Sequence, residues 1–395
     1  TVTLAFAAAD MASFDDLGKL APFAWVVEKG RYDLYLGTSV RDAEKLDFAW
    51  EQAETETVRK CRNVLAPSHL KKRLLADGTW EDLPAAPAVD TDANVLEPLD
   101  PNTLEAVAPA VRARDRYLLS QPYPEGVRPL SQAAEGKLAL DAFMAQLSDG
   151  DLIHLLGGQP NVGVSNTFGL GNLPEYGVPN LTTADGPAGL RIQPEVGVCT
   201  TAWPCATLLA ASWDPELPAQ VGAAAAAEVK ENNISVWLAP AVNIHRSPLC
   251  GRNFEYWSED PLLTGKLAGA MVRGIQSQNI AATVKHFACN NKETNRKYSD
   301  SRLSQRALRE IYLKAFEIIV REEQPWAIMS SYNVINGQRA SESRELLTTI
   351  LREEWGYAGL VMSDWWTRGE HYKELLAGND LKMANGYPER VEEAI

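Results

Sequence analysis

The chain has 395 residues, 45% of them hydrophobic and 23% charged, values ordinary for a globular protein with room for two or three domains. Lys and Arg number 38 against 52 Asp and Glu, and the formal charge of -14 argues against nucleic acid or an anionic membrane as a main partner. No apolar run approaches the length of a membrane span, no basic n-region follows Thr1, and the compartment is left open.

Taken in order, residues 1–60 read as β structure. Thr1 to Phe6 is one predicted strand, and Phe23–Val27 with Tyr32–Leu36 reads as a hairpin turning through Glu28-Lys29-Gly30. Residues 61–130 are crowded with proline (Pro67, Pro84, Pro87, Pro98, Pro101, Pro109, Pro122, Pro124 and Pro129), which forbids long helices and central strands and predicts an extended connector. Asp90-Thr91-Asp92 begins like a calcium loop, but Val95 and Pro101 stand where Gly and Glu are needed, so no metal is assigned. The five cysteines are scattered, lack CxxC spacing, and read as reduced or buried.

A helix is predicted over Leu138–Leu147, and from about 180 the chain alternates. Apolar β-like segments fall near 180–185, 206–212, 234–244, 280–288, 326–332, 360–364 and 380–384. Helical patterns lie between them at Leu217–Val229, Leu262–Gln276, Gln305–Arg321 and Ser343–Trp355. Such alternation implies a parallel sheet, and the absence of GxGxxG after the first strand favours a closed barrel over a dinucleotide fold.

The strand tips carry the chemistry. Leu360-Val361-Met362-Ser363 ends in Asp364, followed by Trp365 and Trp366. A carboxylate at the tip of a buried strand must be solvated, paired or used, and in a β/α barrel that tip is where the active site sits. Its plain alternative is a helix N-cap. Other tips supply Asp185, Arg252, the adjacent Lys285 and His286, Arg296 and Tyr332. Carboxylates, cations and aromatic rings gathered at one end suit a sugar, whose hydroxyls want charged partners and whose C–H face wants an indole.

Five separated motifs then agree: Asp185-Gly186-Pro187, Gly251-Arg252-Asn253-Phe254-Glu255 through Pro261, Lys285-His286-Phe287, Met329-Ser330-Ser331-Tyr332-Asn333 with Asn336-Gly337, and Ser363-Asp364-Trp365. In order and spacing they resemble glycoside hydrolase family 3, in its β-glucosidase branch, over roughly residues 135–395. The resemblance implies an α/β fold, a (β/α)8-type TIM barrel over 131–395, and a retaining β-glucosidase that needs no cofactor. It makes Asp364 the nucleophile, places Asp185, Arg252, Lys285, His286 and Arg296 on the hydroxyls of the non-reducing glucose, sets Tyr332 against the nucleophile and packs Trp365 beside the sugar. The stretch Ala288–Glu293 lacks the histidine of the family's β-N-acetylglucosaminidase branch.

Trp25 to Gly37 is similar to the last hairpin of the family's fibronectin type III-like domain, so residues 1–60 are expected to be part of such an all-β domain, preceding the barrel as in circularly permuted members. On that resemblance the sequence is a slice of a longer enzyme. The acid/base glutamate is then expected from an α/β sandwich domain or a second chain, with Glu255 and Glu259 in structural roles. The expected partner is a β-glucoside or oligosaccharide, with no nucleic acid and no membrane. A β-xylosidase, a non-catalytic sugar-binding piece and a Schiff-base lyase using Lys285 are the other readings. Two expectations concern geometry. Lys285 and His286 can share a site only if the strand is irregular there, and Lys285 and Arg252 should hold Asp364 ionised.

Overall fold

The computed structural model describes residues 3–75, 77–84, 122–161 and 163–395. The chain divides into two compact units, Thr1–Ala88 with Arg302–Glu310, and Val89–Ser301 with Ile311–Ile395.

The first unit is antiparallel. Strands β1 (Ser13–Asp15), β2 (Ala24–Val27) and β5 (Glu56–Lys60) form one sheet with β2 in the middle, while β3 (Gly30–Leu36) pairs with β4 (Glu44–Gln52) and β6 (Lys72–Leu74) with β7 (Trp80–Asp82). This corrects two expectations. Residues 3–7 carry no strand and lead into a short turn of 3₁₀ helix at Ala8–Met11. The predicted hairpin of β2 with β3 does not form either. All four β2 residues are buried, so both of its edges need ladder partners, and β1 and β5 supply them. β3 instead pairs with the nine-residue β4, where Asp33 takes an ion pair from Lys45 across the strands. The interval read as a connector also holds the β6–β7 hairpin, whose turn is set by Asp77 accepting from the Thr79 amide and hydroxyl and by Gly78 at φ +84°. No proline interrupts residues 71–82. Most of the Pro-rich connector (85–121), including the rejected calcium loop, lies outside the described residues.

The second unit is an α/β fold. Its sheet runs β16 (Leu360–Ser363), β13 (Ala327–Ser330), β11 (Ala281–Phe287), β10 (Val236–Trp237), β9 (Val178–Ala184) and β8 (Gly169–Leu173), all parallel except the β8–β9 pair. The two-residue strands β12 (Asp300–Ser301), β14 (Val334–Ile335) and β15 (Gln338–Arg339) make a separate small sheet. The ladders curl into an incompletely closed barrel. Beyond them, isolated parallel bridges join Met362 to Leu381 and Lys382 to Gly157, and an antiparallel bridge joins Gln159 to Gly169 on β8.

β13 is buried throughout and β11 at all but its first residue, the near-continuous apolar run of a parallel strand covered on both faces. Inside lie Val236, Leu238, Met329, Met362 and Met383. Outside, helices Glu216–Glu231 and Pro261–Gln276 pack backbone against backbone, because a Cβ at Gly222 would fall 2.6 Å from the Met271 carbonyl oxygen. Segment 206–212, expected as β, is instead the helix Ala206–Ala210. Its Ala-Thr-Leu-Leu-Ala run follows Pro204, and an apolar run this short does not declare its period. Segment 380–384 forms only the bridges described, and the predicted helix 138–147 is formed over Leu140–Met144.

Candidate active site

The sequence-predicted residues converge on the carboxyl ends of β9, β11, β13 and β16. Asp364 follows Ser363 directly and is buried, with its own Trp365 amide donating to Oδ1 at 2.7 Å. Asp185 follows Ala184 at the end of β9. Lys285 Nζ reaches Asp185 Oδ1 at 2.6 Å, and Arg191 Nη1 donates to Oδ2 at 3.1 Å.

His286 sits beside Lys285 in sequence and also enters the site, its Nε2 3.9 Å from Asp364 Oδ2. The irregularity this requires is present. The β11–β13 ladder shifts register between Lys285 and Phe287, and the Lys285–His286 peptide bond is cis. The shift leaves Phe287 to pack outward, edge-on to Phe316 at 5.1 Å and Trp355 at 5.8 Å. Asn243 clamps this point, accepting from the His286 amide at 3.0 Å and donating to its carbonyl at 2.9 Å.

The remaining partners arrive on loops. Arg252 pairs with buried Glu255, and Arg296 pairs with Glu293 at 2.8 Å while lying 4.9 Å over the Tyr332 ring. The Tyr332 hydroxyl donates to the Trp365 carbonyl at 2.6 Å. Among the described residues the buried indole N–H of Trp365 has no hydrogen-bond partner, so it is available to a ligand hydroxyl.

Charges in this enclosure are set by burial first. Burial pushes the Asp364 carboxyl up, against the opposing pull of Arg252, the Trp365 amide, Lys285 and Arg296, and its net pKa lies above the ordinary value. Arg252 and Lys285 do act to hold it ionised, as expected, but burial outweighs them in the net direction. Desolvation of a carboxylate deep in the fold outweighs cations that are themselves committed to Glu255, Asp185 and Glu293. Asp185, with Lys285 and Arg191 on it, falls well below the usual carboxylate range despite its burial. His286 is held neutral by burial and by Arg252, Lys285 and Arg296. Burial and the Asp364 charge raise the Tyr332 phenol, so it remains a donor.

Several participants were not singled out in the sequence. Arg191 and Asn243 show no local pattern, and Tyr256 lies within the Gly251–Pro261 motif without a role read for it there. Tyr256 lies 3.4 Å from His286 Nδ1 through its hydroxyl, which also accepts from Asn290 Nδ2 at 3.1 Å. Lys382 and Glu374 are both fully buried and paired at 2.7 Å. Lys382 also donates to Thr367 Oγ1 and to the Gly369 carbonyl, tying the loop that leaves Asp364 to the helix His371–Ala377. A lone Lys in Asp-Leu-Lys-Met gives no sign of such burial.

Among the described residues no group of three or more His, Cys, Asp or Glu could hold a metal ion, and no helix is long and apolar enough to cross a membrane. A buried carboxylate, a neutral imidazole, an indole N–H with no partner among the described residues and a Lys-paired second carboxylate thus gather at the carboxyl ends of neighbouring strands.

The model of the glycosyl hydrolase family 3 N-terminal domain matches residues 173–383. The chain is 59% identical over 401 aligned residues to beta-glucosidase A of Butyrivibrio fibrisolvens, covering 100% of this chain and 48% of that protein. It is 39% identical to a beta-glucosidase of Ruminococcus albus, over 93% of this chain and 38% of the relative. The crystal structure of a beta-glucosidase from Paenibacillus barengoltzii superposes with a TM-score of 0.79 at 36% identity, over 95% of this chain and 42% of that one. The chain thus spans less than half the length of each of these relatives.

Proposed function

The chain belongs to glycosyl hydrolase family 3, and from that premise we propose that it carries the nucleophile half of a retaining β-glucosidase. The observation that supports this best is Asp364, fixed at the tip of a barrel strand by its hydrogen bond from the Trp365 amide and faced by His286. In this reading Asp364 attacks the anomeric carbon of a terminal β-D-glucosyl residue. The aglycone oxygen leaves with a proton from an acid, and water, deprotonated by the same group, cleaves the glycosyl ester. Asp185, Arg252, Lys285, His286 and Arg296 bind the sugar hydroxyls. Tyr332 orders the segment at Trp365, and Trp365 packs beside the ring.

The proton donor is the open element. Glu255 is committed to Arg252 and Glu293 to Arg296. The family resemblance assigns the acid/base to a glutamate of an α/β sandwich domain or a second chain, and the pairing of Glu255 and Glu293 with arginines agrees with that assignment. The single bridges through Leu381, Lys382, Gly157 and Gln159 support reading the second unit as a closed (β/α)8 barrel. The antiparallel β strands of the first unit support a partial fibronectin type III-like domain preceding it.

Incubation with 2,4-dinitrophenyl 2-deoxy-2-fluoro-β-glucoside followed by peptide mass mapping tests the reading. A label on Asp364 is the expected result, and a label elsewhere, or none, removes Asp364 from the mechanism. Dinitrophenyl glucoside, whose leaving group needs no proton, should be cleaved by this chain while cellobiose is left nearly untouched. Brisk cellobiose hydrolysis overturns the assignment of an external acid.

A further inference from the structure

The cations that surround Asp364 are almost all neutralised: Lys285 by Asp185, Arg252 by Glu255, Arg296 by Glu293. Lys297 is the exception. Its ammonium lies 3.5 Å from the Trp366 carbonyl oxygen and 4.9 Å from the Tyr332 ring centroid, and among the described residues no carboxylate is within ion-pair distance of it. It is half-buried, and burial together with Arg368 and Arg296 holds its pKa below the ordinary lysine value, with Asp364 acting the other way. In a chain of formal charge -14, a partly desolvated cation left without a carboxylate beside the reactive carboxylate is costly unless a ligand supplies the anion.

Aromatic rings stand around the same place. Trp366 is 39% exposed and Tyr298 48% exposed, and the Arg368 guanidinium lies 5.9 Å over the Tyr298 ring. Trp366 holds a backbone at φ +52°, a region bulky residues rarely adopt. It is fixed there by its amide on the Met383 carbonyl at 2.9 Å and its indole N–H on Asn385 Oδ1 at 3.2 Å. An exposed indole anchored at both polar ends presents a rigid platform two residues beyond Asp364, on a different loop from the Asp185–Lys285 pair.

We propose that Lys297 and Arg368, with the rings of Trp366 and Tyr298, form an aglycone subsite selective for glucosides of aromatic carboxylates. This rests on the reading of Asp364 and its neighbours as a glucose site. An aromatic acid matches both halves of the patch. Its ring stacks on indole or phenol, and its carboxylate gives Lys297 the charge-assisted partner that the protein withholds. A neutral sugar in the same place leaves that ammonium uncompensated.

The test is a binding measurement that needs no turnover. Calorimetric dissociation constants are taken for 4-carboxyphenyl and 4-carbamoylphenyl β-glucoside on the full 395-residue chain carrying D364N. The acid should bind about tenfold more tightly than the amide, as one charge-assisted contact allows, and the ratio should shrink at high salt. K297M should bring the ratio toward one, and K297R should keep most of it. Equal binding of the two glucosides, or an unchanged ratio in K297M, overturns the subsite while leaving the glucose site standing. Failure of both glucosides to bind overturns the glucose site and this proposal with it.

Discussion

At the scale of single residues, the site is a set of desolvated charges whose pairing decides their behaviour. Asp364 has a folded pKa above its unfolded value, because burial outweighs Arg252, Lys285 and Arg296. The sign follows. Its contribution to stability is fully present below the unfolded carboxylate value and is lost as pH rises through the folded one, so at neutral pH the ionised form costs the fold. D364N removes that cost and should raise stability by about 1 kcal/mol at pH 7, with little gain at pH 3.5, while labelling by the fluoroglucoside disappears. Thermal melts at the two pH values check the first part. A lower melting temperature at pH 7 shows instead that the carboxylate is net stabilising where it stands. Asp185 is the opposite case. Lys285 and Arg191 depress it, so its stabilising contribution is present above the unfolded value and lost as pH falls through the depressed one. K285M leaves a half-buried carboxylate with Arg191 as its remaining cation, and should weaken glucose binding and move the onset of acid unfolding.

At the scale of elements, function depends on what each strand end is tied to. The loop from Trp365 to Gly369 is held by Lys382, whose three donors go to Thr367, the Gly369 carbonyl and Glu374, all buried. Removing one partner strands a charge in the interior, so K382M alone should cost about 3–5 kcal/mol, whereas K382M with E374L should recover most of that loss. Urea denaturation of both variants measures it. A double variant as unstable as the single one means that the hydrogen bonds to Thr367 and Gly369, rather than the ion pair, carry the effect. The β11 end works in the same way. The register shift after Lys285 puts two successive side chains into the site, and Asn243 closes the gap on the His286 peptide with two hydrogen bonds.

At the scale of the whole molecule, the two units differ in how well they bury their strands. β11 and β13 are flanked on both edges by strands and β16 on one edge, with a single bridge from Met362 to Leu381 on the other, whereas β3 and β4 pair only with each other and leave Tyr35, Phe48 and Trp50 exposed. Amide hydrogen exchange should therefore be slowest in β11 and β13, and the β3–β4 hairpin should exchange orders of magnitude faster. Equal protection of the two would mean that the hairpin is covered in solution. Apolar rings on a two-stranded ribbon otherwise find little to bury against.

The gathering of the candidate residues at one set of strand ends was legible in the sequence because its signals are local. The apolar run Leu360-Val361-Met362, followed by Ser363 and Asp364, declares a buried strand with a carboxylate at its tip, and adjacent Lys285 and His286 force an irregular backbone if both are used. The alternation of apolar strands with helical spacing declares the α/β class. Tertiary structure decided what depends on partners distant in sequence. β2 took β1 and β5 rather than β3 because a fully buried strand needs two edges filled, and the Ala206–Ala210 run became helix because so short a mostly apolar run carries no period of its own. The net charge balance at Asp364, the burial of Lys382 with Glu374 and the unmatched Lys297 emerged only once the chain was folded. Desolvation and pairing are properties of a place in space, and a sequence names the residue without naming its surroundings.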